Sequence, residues 1–150
     1  MPDLLKAIYN NESPIIRNPS AIRPWQHVLE PLFGYIKLAE KLYNQDSGFD
    51  EAWNFGPNDT DCQSVEWITS ELLKIAKKQF TWVQDPDYNS HEAQLLKLDI
   101  SKAKNHLKWY PKWDLVKTLN QIIDWHQAFN KDKNVLDITK KQIIEYLDHE

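Results

Sequence analysis

Arg17-Asn18-Pro19-Ser20-Ala21-Ile22-Arg23-Pro24-Trp25-Gln26-His27-Val28 holds both arginines of the chain. Every other fixed cation is a lysine, and those lysines are scattered. A guanidinium offers a planar fork of donors that matches phosphate or carboxylate oxygens two at a time, which an ammonium cannot do. Two forks with Asn18, Trp25, Gln26 and His27 around them make a grip for a small anionic ligand with a flat or sugar-like part. An ion-paired surface loop is the competing reading. Trp25 divides in the same way: its indole stacks on a base, a sugar or an arginine, or it simply roofs the core.

Working outward, Ile15-Ile16 is β-branched and bounded by Pro14 and Pro19, which predicts a short edge strand. On the other side, Leu32, Tyr35, Ile36, Ala39, Leu42 and Tyr43 mark one face of a helix near 29–44, with Glu30 and Pro31 suited to its first turn. Helical spacing also appears in Leu4, Leu5, Ile8 and Tyr9 behind Pro2 and Asp3. Ala52-Trp53-Asn54-Phe55 reads as a strand ending at Gly56-Pro57. Ser64 then caps a helix that buries Val65, Ile68, Leu72, Ile75 and Ala76. Thr81-Trp82-Val83 predicts a further strand, and Ala93–Leu98 a third. Ser101 caps a short helix to Leu107, Asp114 caps one bearing Leu115, Leu119, Ile122, Ile123 and Phe129, and a last helix runs from about Asp137 to Leu147. The expected class is α+β, rich in helix, with small short-stranded sheets.

At 150 residues the chain has the size of one ordinary domain, and 41% apolar content with seven tryptophans supports a real core. A net charge of −4 and a pI near 5.7 argue against nucleic acid or an acidic membrane surface as partner. An anionic ligand must therefore be held by local placement of cations. The single cysteine, Cys62, excludes an internal disulfide, and no apolar run approaches the ~18 residues that span a bilayer. A soluble cytoplasmic protein is the expectation.

The motifs of several chemistries are missing. With only Gly34, Gly48 and Gly56, there is no glycine-rich turn for a dinucleotide or a nucleotide phosphate. The serines lack the strand–turn–helix elbow that exposes a nucleophile, and Cys62 beside a helix start reads as structural. His27, His91, His106, His126 and His149 lack metal-ligand spacing. Asp85-Pro86-Asp87 has the outline of an Asp-x-Asp metal element, although acids around a proline are usually a turn. Trp67, Trp109, Trp113 and Trp125 read as core.

Ile22-Arg23-Pro24-Trp25-Gln26-His27-Val28, then a helix, then Ala52-Trp53-Asn54-Phe55-Gly56-Pro57, resembles the C-terminal half of extended short-chain dehydrogenase/reductase enzymes acting on nucleotide-sugars. Arg17-Asn18-Pro19, Leu29-Glu30-Pro31-Leu32, His91-Glu92-Ala93, Leu96-Lys97-Leu98-Asp99, Ser101-Lys102-Ala103-Lys104 and Trp109-Tyr110-Pro111-Lys112-Trp113 narrow the resemblance to the 4,6-dehydratases. The resemblance covers nearly the whole chain in collinear order. It implies a substrate-binding lobe over residues 1–150, without the dinucleotide-binding core, as the C-terminal portion of a longer enzyme. The implied ligand is CDP-glucose. In the family's reaction NAD oxidises C4 of the sugar, water leaves across C5–C6, and hydride returns to C6. The glycine fingerprint and the Tyr-x-x-x-Lys pair for that chemistry are absent here, since no tyrosine has a lysine four residues on. So no catalytic residue and no NAD binding are expected of this chain alone.

The resemblance also implies roles. Arg23 matches an arginine that contacts the nucleotide diphosphate, and Asn54 an asparagine near the same phosphates. His91 falls where related dehydratases place a polar residue close to the nucleotide, and Arg17 in the segment approaching base and ribose. Tyr88 stands where some relatives have an arginine, which removes diphosphate contact from that loop. Asn18 and Trp25 complete the expected substrate-binding set. Packing against a cofactor domain in related folds implies that Leu32, Ile36 and Phe55 lose cover in this chain, leaving an apolar patch. The patch is open to a missing N-terminal half or a second copy. The alternatives are a non-catalytic interaction module on the same fold and a metal-dependent transferase using Asp85 and Asp87.

Overall fold

The computed structural model describes residues 1–86, 93–131 and 134–149. Helix α1 (Pro2–Asn10) leads through β1 (Ile15–Ile16) and β2 (Ile22–Pro24) to α2 (Leu29–Tyr43). A single 3-10 turn (Asp59–Asp61) precedes β3 (Cys62–Ser64) and α3 (Val65–Ile75). The chain continues with β4 (Val83–Gln84), α4 (Ser101–His106), α5 (Leu115–Asn130) and α6 (Val135–Asp148). Proline starts α1 where its missing N–H costs nothing, and the left-handed Asn11 ends it. Ser64 caps α3 by accepting from the Trp67 N–H, and Asp114 caps α5 by accepting from the Lys117 N–H at 2.7 Å, both as expected.

Two small ladders connect the helices. β1 runs parallel to β4, with Ile15 opposite Val83, and β2 runs antiparallel to β3, with Arg23 opposite Gln63. The sequence had not marked β2 or β3 as strands. Two expected strands are corrected. Ala52–Phe55 pairs with no strand among the described residues; side chains take its carbonyls instead, Gln26 Nε2 at Phe55 O and Lys102 Nζ at Ala52 O. Ala93–Leu98 shortens to one bridge between Ile22 and Leu95. Nor does Ser101 cap α4: the Asp99 carboxylate, two residues earlier, accepts the Ser101 N–H at 2.8 Å.

The core has two parts. Leu4 and Ile8 of α1 meet Ile68, Leu72 and Leu73 of α3 and Leu115, Leu119 and Ile123 of α5. Phe55, Ile100, Ala103, Leu107 and Trp109 form the second. Glu30 joins α2 to the rest. It is fully buried, and its carboxylate accepts from the backbone N–H groups of Lys112 and Trp113 and from the Tyr146 hydroxyl at 2.7 Å. Burial, with that carboxylate holding its proton, pushes the Tyr146 phenol well up.

The apolar stripe of α2 faces outward. Leu32, Tyr35, Ile36, Leu42 and Tyr43 are exposed, Ile36 at 65% and Tyr43 at 88%. The helix buries Glu30 and Gly34 instead, because Gly34 lets the Phe55 ring press against the backbone. Phe55 itself is buried, contrary to expectation, edge-on to Tyr35 and Trp109. No helix among the described residues is long and apolar enough to cross a membrane.

Candidate functional site

Where β1, the residues after it and the end of β4 come together with the start of α1, they leave a cleft of about 480 Å³. Arg17, Asn18 and Trp25 line it, along with Asp3, Val65 and Asp85. The β1–β4 ladder fixes this meeting, since the Asp85 N–H donates to Ile16 O at 2.9 Å. Of the two parts foreseen for Trp25, the structure shows the core one. Its ring packs on the first core cluster with Nε1 donating to Gln63 O at 2.9 Å, and it also walls the cleft. The charges are mixed: one guanidinium stands in a cleft with two carboxylates. Such a site suits hydroxyls and amines as well as anions.

Arg23 and Asn54 do not line this cleft. Arg23 is half-buried on β2, and its Nη1 donates to Ile22 O at 2.9 Å and to Ala93 O at 2.8 Å. Part of its fork thus clasps the chain just beyond the undescribed stretch. Asn54 is exposed, with Nδ2 donating to Asp99 O at 3.2 Å. Hydrogen bonding from Ser101 holds the Asp99 carboxyl below its ordinary range. Gln26 ties the arginine stretch to residues 52–57 through Phe55 O. His91, with Tyr88 and Asp87, lies outside the described residues.

His27 does not line the Arg17 cleft. It is 7% exposed, edge-on to Trp113 at 4.9 Å, and burial pushes its imidazole down to about 4. Burial also pushes the Cys62 thiol up, which suits a structural cysteine rather than a nucleophile. Asp3 and the cleft position of Asp85 escaped sequence reasoning. No local pattern signals them, because residues 3, 17 and 85 meet only through tertiary packing.

Several solved structures share this fold. UDP-glucose 4-epimerase from Thermotoga maritima, solved with UDP-glucose, superposes with a TM-score of 0.69 at 22% identity, over 86% of this chain and 38% of that one. dTDP-glucose 4,6-dehydratase from Bacillus anthracis, solved with NAD, gives 0.65 at 13% identity, over 85% and 38%. The chain therefore has the fold of one portion of the nucleotide-sugar epimerases and dehydratases. In sequence it is 45% identical over 147 residues to CDP-glucose 4,6-dehydratase of Salmonella typhimurium, and is thus a homologue of part of that enzyme. The match takes in 98% of this chain but only 41% of the relative, its C-terminal part. No family model matches the chain.

Proposed function

We propose that this chain, residues 1–150, is the nucleotide-sugar-binding lobe of a CDP-glucose 4,6-dehydratase. In this reading it is the C-terminal portion of an extended short-chain dehydrogenase/reductase, without the dinucleotide-binding core. The observation that carries the reading is the 45% identity running along 98% of the chain. The cleft takes the base and ribose of CDP-glucose: Trp25 offers a stacking face, Arg17 and Asn18 offer donors, and Asp3 and Asp85 accept from ribose hydroxyls or an exocyclic amine. Two carboxylates repel a diphosphate, so the phosphates lie toward Arg23 and Asn54, and His91 stays in the proposed substrate-binding set as the sequence resemblance implies.

The chain binds and orients; the redox chemistry belongs elsewhere. NAD, present in the B. anthracis dehydratase structure, would be held by the remaining three-fifths of the enzyme. The outward stripe of α2 is the surface that receives that part, in the manner the sequence resemblance implies. The same stripe favours the second reading, an interaction module that keeps the fold without the reaction. A reconstitution assay separates them. The chain with NAD and CDP-glucose yields no 4-keto product, and adding the N-terminal part of the S. typhimurium relative restores it. Product from the chain alone overturns the lobe reading. No product from the mixture, with a stable complex formed, favours the interaction module.

A further inference from the structure

Between α1, α5 and α6 lies a second cavity, of about 260 Å³, which shares no lining residue with the Arg17 cleft. Leu5, Ile122, Trp125 and Ile143 give it a mainly apolar wall. Four polar side chains also line it, His27, His126, Thr139 and Gln142, of which His27 and Gln142 are only 7% and 5% exposed. His27 Nδ1 accepts the Leu29 N–H, so the neutral ring carries its hydrogen on Nε2. Gln142 Nε2 donates to Gln121 O at 2.8 Å, which fixes the amide and leaves Oε1 as an acceptor. No described residue pairs with His27 Nε2 or Gln142 Oε1, and neither atom is wholly sealed off. A donor and an acceptor without a partner among the described residues, each on a side chain more than nine-tenths buried, thus belong to two residues that line a mainly apolar cavity.

Such atoms are costly to leave unmade. Water would pair with both but would leave the apolar wall wet. An organic molecule with a compact apolar body and one hydroxyl answers both needs, because a hydroxyl accepts and donates. The volume is sufficient, since an engineered apolar cavity of about 150 Å³ already holds benzene. We propose that this cavity is a binding site for a small neutral, largely apolar alcohol or phenol, oriented by His27 and Gln142. The low affinity of the buried His27 ring for a proton keeps it neutral, as this role requires.

p-Cresol and toluene test the site on the unmodified chain, since they share a body and differ by the hydroxyl. Nitrogen-detected NMR of the His27 ring is expected to shift saturably with p-cresol, and toluene to bind at least about fivefold more weakly. Ile143→Trp fills the cavity from its rim and is expected to abolish the p-cresol shift while the chain stays folded. Absence of a saturable His27 shift up to the solubility of p-cresol overturns the proposal, as does equal affinity for toluene. Should Ile143→Trp fail to fold, the comparison of the two probes still decides.

Discussion

Glu30→Gln should remove about 3 kcal/mol of stability without changing the fold, a large part of the ~5–15 kcal/mol a domain commands. The side chain keeps its size, so no cavity opens. What changes is the acceptor. In the native chain two backbone N–H groups and the Tyr146 hydroxyl converge on a carboxylate that is fully buried. Glutamine keeps only one of the two oxygens on which these three donors converge, and leaving a buried donor without its acceptor costs about 1–3 kcal/mol. The amide N–H₂ must also face one of these donors, which forces the tyrosine hydroxyl to turn and accept. Urea unfolding at pH 7.5, followed by circular dichroism, reads the loss as a lower midpoint at unchanged slope. Tyr146→Phe alone removes one donor and should cost less. In the Glu30→Gln background it should cost less still, with a coupling of about 1 kcal/mol. A Glu30→Gln chain within about 0.5 kcal/mol of the native one would refute the view that this carboxylate clamps α2 to the 112–113 segment and α6.

His27 sets an acid limit. Its folded pKa near 4 lies below the ordinary 6.5, so the unfolded chain takes up the proton first. Its contribution is complete above pH 6.5 and is lost progressively down to about 4, reaching on the order of 2 kcal/mol by pH 5. Urea midpoints at pH 7.5 and 5.0 should show that loss, and His27→Gln should flatten it; an unchanged slope in the variant would remove His27 as its source. Gly34→Ala should destabilise by about 1–2 kcal/mol, although alanine favours a helix, because its Cβ would overlap the buried Phe55 ring. A raised melting temperature in that variant would mean the ring moves aside freely. Asp114→Ala should cost about 1 kcal/mol through the lost Lys117 N–H bond, read from the same unfolding curves. No change there would show that water caps α5 equally well.

Helices were legible wherever a cap and an apolar period agreed. Ser64 and Asp114 named the starts of α3 and α5, and Pro2 marked α1. Short strands were not. β2 and β3 are three residues each, too brief for alternation to register, and β2 falls where proline and arginine dominate the reading. The 52–55 segment has strand-like composition, but a ladder needs a partner strand, and side chains occupy its carbonyls instead. The α2 stripe shows the limit of periodicity most clearly. The spacing of Leu32, Tyr35 and Ile36 correctly identifies an amphipathic helix, yet the apolar face points outward in this chain. Periodicity reports that a face seeks cover and says nothing of which polypeptide supplies it.

In the site, the arginine stretch was visible because residue types with a fork and a ring stood close together in sequence. Its division was not. Arg17 lines a cleft, whereas Arg23, six residues on, clasps carbonyls from β2, a difference made by the ladders that turn the chain between them. His27 sits in the same stretch and does neither. Its neighbours from α5 and α6 come from a hundred residues downstream, so no local reading could have placed it against a cavity.

Titration of CDP-glucose into the folded chain by calorimetry, with and without Mn²⁺, measures the central claim most directly. The account predicts weak, saturable, metal-independent binding that is abolished or nearly so in Arg23→Ala, a truncation that typically costs ~2–5 kcal/mol in a desolvated site. Heats no larger than dilution from a folded chain, or an Arg23→Ala chain that binds as well as the native one, would contradict it.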